Sequence, residues 1–310
     1  MTKKSNKFLF NEVLIIGVGL IGSSIALSLK KNEIAKKVIG YSKTEKTRKI
    51  AKKKNIVDAV INKISDRISE IDLIIICSPL STYEKIFKLI DPHLSKKTIV
   101  TDVGSAKSLI IKNFLRSKDR KYDFIPAHPI AGTEQSGPNA GFYELFIDRW
   151  CIITPIKENK KRNINIIKKM WKMMGSNVEI MAPDRHDQTM AITSHLPHLI
   201  AYNIVSTAAD IENVTKSDVI KYSASGFRDF TRIAASDPTM WRDVLLNNKD
   251  ALLEVISRFS EDLSMLQKAI RWEDGDTLYK LFSKTRKIRN KIIDAGQDVP
   301  APDFGRSKKR

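Results

Sequence analysis

The stretch that most constrains this chain is Gly17-Val18-Gly19-Leu20-Ile21-Gly22, which follows Val13-Leu14-Ile15-Ile16 and precedes Ser23-Ser24-Ile25-Ala26-Leu27-Ser28-Leu29. The apolar, mostly branched run before it is too short for a helix and suits a strand buried on both faces. The residues after it read as a helix. Between a strand and a helix, GxGxxG has a mechanical meaning that a bare match lacks. Gly17 permits a tight turn, Gly19 lets a pyrophosphate reach the backbone, and Gly22 lets helix and strand pack closely. The helix opened by Leu20 and Ile21 offers unpaired N–H groups and a positive dipole end to those phosphates. The context predicts a dinucleotide site rather than a simple glycine turn.

Strand and helix keep alternating downstream. Val38-Ile39-Gly40-Tyr41 reads as a second strand, residues 45–54 as a helix, Ala59-Val60-Ile61 as a short third strand and Leu73-Ile74-Ile75-Ile76-Cys77 as a buried fourth. A break at Ser78-Pro79 precedes a helix from about Tyr83, and Thr98-Ile99-Val100-Thr101-Asp102-Val103 and Phe124-Ile125 supply a fifth and a sixth strand. This is the pattern of an α/β, doubly wound parallel sheet of Rossmann type, with ligands beyond the carboxyl ends of the strands. The loops Ser42-Lys43, Ser78-Pro79 and Gly104-Ser105 therefore join the glycine loop in facing the cofactor. At the end of the second strand an acid would bind the ribose 2′-hydroxyl of NAD and repel a 2′-phosphate. Ser42 and Lys43 stand there, with no acid before Glu45. A hydroxyl and an ammonium accommodate NADP and tolerate NAD, so both cofactors stay open. Trp150-Cys151-Ile152-Ile153-Thr154 and Val178-Glu179-Ile180-Met181 are expected to extend the sheet, with a helix over 164–174 between them.

At 310 residues the chain has room for two cores. Its formal charge of +19 comes from 54 Lys and Arg against 35 Asp and Glu. The lysines are spread over nearly every predicted helix, as in 46–54 and 157–169, without the interleaved aromatics of a nucleic-acid face. A solvated basic surface fits better, and its field favours an anionic small substrate. No run has transmembrane length, no signal-peptide core follows the basic start, and no Cys/His spacing suggests a metal. Cys77 and Cys151, far apart in strand-like runs, suit a reducing cytoplasm.

Ala127-His128-Pro129-Ile130-Ala131-Gly132-Thr133-Glu134 follows the sixth strand at the ligand edge of the sheet. A histidine there suits proton acceptance from a substrate hydroxyl whose carbon gives up hydride. A plain strand-to-loop histidine is the competing reading. Ser105 is placed to orient the same hydroxyl; an ordinary helix N-cap for Ala106-Lys107-Ser108 is equally good physics.

At these residues the chain resembles the prephenate/arogenate (cyclohexadienyl) dehydrogenases of tyrosine biosynthesis. The resemblance rests on the glycine loop, Asp102-Val103-Gly104-Ser105-Ala106-Lys107, His128-Pro129-Ile130-Ala131-Gly132-Thr133-Glu134-Gln135-Ser136-Gly137, Ser194-His195-Leu196-Pro197-His198, Gly226-Phe227-Arg228-Asp229-Phe230-Thr231-Arg232-Ile233-Ala234 and Met240-Trp241-Arg242-Asp243. Ser42 in place of an acid departs from the commonest family pattern. The resemblance implies oxidative decarboxylation of a dicarboxylate substrate, prephenate or arogenate, with NAD as the family default. It makes His128 the proton acceptor and Ser105 its helper. Arg232 would hold a substrate carboxylate, Ser194 and His198 would line the pocket, and Glu134 would gate it or sense a side-chain amine.

After Pro183 the pattern turns helical, and residues 245–270 carry apolar residues at three- and four-residue steps, the mark of a packed amphipathic helix. Pro197 is expected to kink its helix and free a carbonyl near Ser194 and His198, which share a face. Arg232, flanked by Phe230 and Ile233, is expected to be partly buried and paired with an anion. The chain thus divides into a dinucleotide-binding domain over 1–182, a helical substrate and dimerisation domain over 183–295, and a disordered basic tail over 296–310. These cores are expected to leave no residues for a fused mutase or regulatory domain, so feedback by tyrosine would act at the active site. The partners expected are a small dicarboxylate and a second copy of the chain, with no nucleic acid, membrane or metal. The rival readings are a β-hydroxyacid-type dehydrogenase, whose catalytic-lysine helix pattern is missing here, and a non-catalytic NAD(P)-sensing protein, for which His128, His198 and Arg232 would have no use.

Overall fold

The computed structural model describes residues 8–65, 68–117, 120–215 and 221–294; the basic tail lies outside the described residues. Strand β1 (Phe10–Ile16) leads through the glycine loop into α1 (Leu20–Lys31). There follow β2 (Ala35–Tyr41), α2 (Glu45–Lys53), β3 (Ala59–Val60), β4 (Leu73–Ile76), α3 (Tyr83–Ile90), β5 (Ile99–Asp102), α4 (Ser108–Leu115) and β6 (Asp123–Ile125). All pairings in this sheet are parallel, in the order β3-β2-β1-β4-β5-β6. The order reverses between β1 and β4, which opens the ligand crevice beyond their carboxyl ends.

Side-chain alternation divides the core. Val13 and Ile15 of β1 and Leu73 and Ile75 of β4 pack with Ile25 and Leu29 of α1 on one face. Leu14, Ile16, Ile74 and Ile76 pack with Ile86, Phe87 and Phe114 on the other. Burial on both faces is why these strands read as unbroken apolar runs.

The glycine loop is built as its spacing requires. Gly17 has φ +104°, and a Cβ there would lie 2.7 Å from the main chain of Cys77 and Ser78. A Cβ on Gly22 would lie 2.0 Å from the Gly17 carbonyl oxygen, whereas Gly19 has nothing within 4 Å. The Val18 N–H donates to Ser42 Oγ at 3.0 Å, tying the loop to the end of β2. The Arg48 guanidinium donates to the carbonyls of Ser42 and Lys43 and so fixes that turn from α2.

Strands β8 (Trp150–Ile153) and β9 (Asn177–Ile180) do not extend the main sheet, as the sequence suggested, but form a second one. They make a three-stranded sheet with β7 (Ala127–Pro129), which runs antiparallel to β8. Pro126 is the reason. It follows β6, has no N–H for the ladder, and its carbonyl accepts from the Thr154 N–H at 2.9 Å. The intervening α5 (Lys161–Met173) sends Ile167, Met170 and Trp171 into the first core cluster.

The rest is helical: α6 (Pro183–Met190), a wide π turn over Ala191–His195, α7 (Leu196–Thr215), α8 (Ser225–Thr231), α9 (Pro238–Asn247), α10 (Lys249–Arg271) and α11 (Gly275–Asp294). The run 245–270 is therefore not one helix. It breaks at Asn248, whose side-chain amide turns inward to donate to the Asp187 carbonyl at 2.8 Å. Nor is its apolar stripe packed throughout, since Leu253 and Leu263 are exposed. Two compact units result: one runs to Leu252, and the other starts at Leu253 within α10 and includes α11. Among the described residues no helix is long and apolar enough to cross a membrane, and no cluster of His, Cys, Asp and Glu could hold a metal.

Gly22→Ala presses a methyl group onto the Gly17 carbonyl, an overpacking that costs about 1–3 kcal/mol. Its urea midpoint should fall, and dinucleotide affinity measured by tryptophan fluorescence should weaken. Wild-type values for both would mean that the loop relaxes without cost.

Candidate active site

The site is built outward from Asp102, the last residue of β5. Its Oδ1 accepts the Ala127 N–H at 3.0 Å. Its Oδ2 accepts the Gly104 N–H at 2.9 Å, the Tyr83 hydroxyl at 3.1 Å and Lys107 Nζ at 2.6 Å. Lys107 Nζ also donates to the Ala127 carbonyl at 2.6 Å. Both charged side chains are fully buried. Burial pulls the Lys107 pKa below its ordinary value, with Asp102 opposing. Both main-chain groups of Ala127 are therefore held, and the next residue is His128.

His128 is buried, with Nδ1 2.8 Å from Nε2 of His186, and His186 Nδ1 lies 2.8 Å from Asp187 Oδ1. Asp187 comes from α6 and caps α4: its Oδ1 accepts the Lys107 N–H at 2.9 Å and its Oδ2 the Ser108 N–H at 2.8 Å. An anion at a helix N-terminus is favourable. Ser105 is therefore not the cap of α4, because the helix starts later and borrows its cap from α6; the Ser105 main chain instead faces the His195 ring. Burial, helped by His186, Lys107 and His195, holds the His128 imidazole well below its usual range. His186 is lowered too, chiefly by burial, with Asp187 opposing. Burial alone would raise Asp187, but hydrogen bonds from His186 and Ser108 bring it below the ordinary carboxylate value.

On the helical side the chain widens into its π turn just before Pro197, which has no N–H to donate. The Ser194 carbonyl is not left open there, as the sequence suggested: the His198 ring takes it, with Nδ1–H donating at 2.8 Å. His198 stacks on Trp241, ring centroids 3.5 Å apart and planes at 20°. With Nδ1 committed, the bare Nε2 of the neutral ring is its free acceptor. Burial lowers the His198 pKa, and the Arg232 charge lowers it further against the Ser194 carbonyl. His195, also buried, accepts from Asn248 Nδ2 through Nδ1 at 3.0 Å, and burial pushes its pKa down to about 4.

Arg232 is exposed rather than partly buried, because it begins a one-turn 3-10 helix, Arg232–Ala235, just past α8. Its anion is Glu134 at 3.3 Å, with the side chains 46% and 44% exposed. A pair that open contributes about 0–1 kcal/mol, so another carboxylate can replace Glu134 at little cost. At the remaining predicted loops, Lys43 is exposed, and Ser78 Oγ shares a hydrogen bond with Thr82 Oγ1 at 2.7 Å. The Pro79 carbonyl accepts from the same threonine hydroxyl.

The structure adds Lys107, His186, Asp187, Trp241 and Asn248 to the predicted residues. Lys107 and Trp241 stand inside motifs visible in the sequence. His186 reaches His128 across 58 residues with Asp187 behind it, and no spacing announces either.

Residues 25–180 match the family model of the prephenate dehydrogenase nucleotide-binding domain, and residues 182–284 match that of the prephenate dehydrogenase dimerization domain. The chain is 39% identical to cyclohexadienyl dehydrogenase of Zymomonas mobilis, over 90% of this chain and 95% of that protein. It is 31% identical to prephenate dehydrogenase of Bacillus subtilis, over 90% of this chain and 76% of that protein. A crystal structure of prephenate dehydrogenase from A. aeolicus with hydroxyphenyl propionate and NAD+ superposes with a TM-score of 0.86 at 33% identity, covering 91% of this chain and 98% of that one.

An unfolded histidine binds its proton below about pH 6.5, whereas His195 in the fold does so only near 4. Stability from keeping this ring neutral is complete above about pH 6.5 and is lost as pH falls toward 4, a loss of about 3 kcal/mol. Urea midpoints should drop over that window, and His195→Gln should flatten the drop. A wild-type slope in that variant would exclude His195 as its source.

Proposed function

The chain belongs to the prephenate dehydrogenase family, and on that premise we propose that it carries out NAD(P)-dependent oxidative decarboxylation of prephenate, arogenate or both. The products are 4-hydroxyphenylpyruvate and tyrosine respectively. The observation that carries this reading is a neutral, buried imidazole, His128, held in the second sheet three residues past the carboxyl end of β6, a strand of the parallel sheet that bears the glycine loop. A neutral ring can accept a proton.

The residues present fit a dinucleotide. Gly19 has open space beside it, and α1 starts with no side-chain cap and no acid in its first turn, leaving the N–H groups of Leu20, Ile21 and Gly22 for a pyrophosphate. Ser42 and Lys43 set no carboxylate against a 2′-phosphate, so NAD and NADP both fit. Ser78 and Pro79 border the same crevice. A bound dinucleotide would supply the hydride acceptor for the hydroxyl-bearing ring carbon. His128 draws the hydroxyl proton, and Ser105 orients that hydroxyl. Carbon dioxide leaves as the ring becomes aromatic, so the step is strongly downhill and the protein mainly positions and binds. Arg232 exchanges Glu134 for a substrate carboxylate, for which its planar fork is suited. Ser194 and His198 line the pocket, with Trp241 bracing His198.

Residues 1–182 hold the cofactor in this reading, and 183–295 bind substrate and form a homodimer. The dimerization-domain match and the exposed Met265, Trp272 and Phe282 support the last point. Unpaired Cys77 and Cys151 fit a cytoplasmic location.

An assay crossing prephenate and arogenate with NAD and NADP should give reduced cofactor with at least one combination. His128→Asn should lower kcat roughly 10²–10⁴-fold with cofactor affinity kept. Arg232→Ala should raise KM roughly two- to fivefold, the range an exposed ion pair supports. Activity with none of the four combinations would refute the assignment. A wild-type kcat in the first variant would remove His128 from its role, and an unchanged KM in the second would remove Arg232.

A further inference from the structure

We propose that His186 and Asp187 are positioning residues that hold His128 in the tautomer whose Nε2 is bare. This rests on the reaction assigned above and deepens it by naming what prepares its proton acceptor.

The argument runs from the carboxylate outward. Asp187 can only accept hydrogen bonds. It accepts the main-chain N–H groups of Lys107 and Ser108, and Oδ1 faces His186 Nδ1 at 2.8 Å. That nitrogen must carry a proton, because a lone pair at that distance would repel the anion. His186 is fully buried and held neutral, so its single proton is spent on Nδ1 and its Nε2 is bare. The bare Nε2 faces His128 Nδ1 at 2.8 Å, so His128 must donate there. The rings meet edge-on, with planes 68° apart. His128 is neutral as well, and its one proton is thereby fixed on Nδ1. Nε2 is left as the acceptor. One anion determines two tautomers in series.

The burial of His186 has no better explanation in packing. A polar ring at a fully buried helix position costs free energy unless both nitrogens are satisfied, and here both are. The same arrangement serves the reaction. The substrate hydroxyl proton goes to His128 Nε2, the hydride to the cofactor, and the carboxyl carbon leaves as carbon dioxide. His128 is then a cation near Lys107, an unfavourable neighbour. Its Nδ1–H lies against His186, whose own N–H is polarised toward the Asp187 carboxylate, so the new charge is offset by an anion two rings away. The electron pair left by carbon dioxide makes the ring oxygen a phenolate, which takes the proton back from His128. The phenol, carbon dioxide and reduced cofactor are released, and His128 is neutral again. The other charged or titratable groups facing this pair are Lys107, Asp102 and His195.

The chain has five histidines, few enough to resolve in long-range ¹H–¹⁵N correlation spectra of the full-length protein labelled at histidine. The wild-type spectrum should show His128 neutral and protonated on Nδ1. His186→Phe keeps a ring but removes the acceptor. His128 should then shift its proton to Nε2, and kcat should fall about 10²–10⁴-fold while KM and cofactor affinity move less than about threefold. A packing role alone would not move the tautomer or separate kcat from KM. His128 protonated on Nε2 in the wild type would overturn the proposal, as would a His186→Phe enzyme with kcat within about threefold of wild type. If that variant does not fold, the wild-type spectrum decides alone. A wild-type enzyme that turns over neither substrate would instead overturn the reaction assigned, and would leave the tautomer measurement standing.

Discussion

The buried ion pair between Lys107 and Asp102 is the interaction on which the rest of this architecture hangs. Burying a lone ammonium or carboxylate costs several kcal/mol, so the pair persists because each partner is hydrogen-bonded to other groups as well as to its counter-ion. Asp102 collects donors from Tyr83, Gly104, Ala127 and Lys107, and the Lys107 ammonium also reaches the Ala127 carbonyl. The same lysine gives its main-chain N–H to Asp187. One residue thus joins strand β5 of the parallel sheet, the first strand of the second sheet and the helix α6. His128 follows Ala127 directly, and His186 precedes Asp187, so the clamp brings both imidazoles to one place from distant parts of the chain.

The two sides of the site differ in exposure, and the difference suits the tasks proposed for them. The His128 side is enclosed: His128, His186 and His195 are buried, and each ring has at least one hydrogen-bond partner. Proton transfer needs a defined acceptor geometry, and burial also keeps these rings neutral at physiological pH. The Arg232 side is open. Arg232 and Glu134 meet in solvent, where their mutual attraction is weak and exchange for another carboxylate is cheap. His198 lies between these extremes, half-buried and stacked on Trp241, with one nitrogen committed to the Ser194 carbonyl.

Much of this was legible in the residues alone, where local physics decides the outcome. The glycine loop needs a positive φ at Gly17 and a missing Cβ at Gly22, and both requirements show as glycines. The buried strands show as apolar runs because both faces are covered. The second sheet was not legible, because Ala127-His128-Pro129 is too short to announce a strand, and only Pro126 hints that the chain leaves the ladder. The break at Asn248 was hidden by apolar spacing that continues on both sides of it. Its cause is a hydrogen bond to a carbonyl 61 residues away. Arg232 was read as half-buried from its apolar neighbours, yet a short 3-10 turn directs it outward. His186 and Asp187 went unremarked for the same reason as Asn248. Their role depends on contacts across the fold, and tertiary contacts leave no period in a sequence.

The central claim is that this clamp delivers an acceptor imidazole to the atom that loses its proton while a guanidinium holds the substrate's carboxylate. A crystal structure with oxidised cofactor and an unreactive hydroxyl-bearing dicarboxylate analogue tests it most directly. His128 Nε2 should lie about 2.6–3.2 Å from the ring hydroxyl, with Arg232 on a ligand carboxylate and released from Glu134. A hydroxyl bound away from His128, with Arg232 still paired to Glu134, would contradict the account.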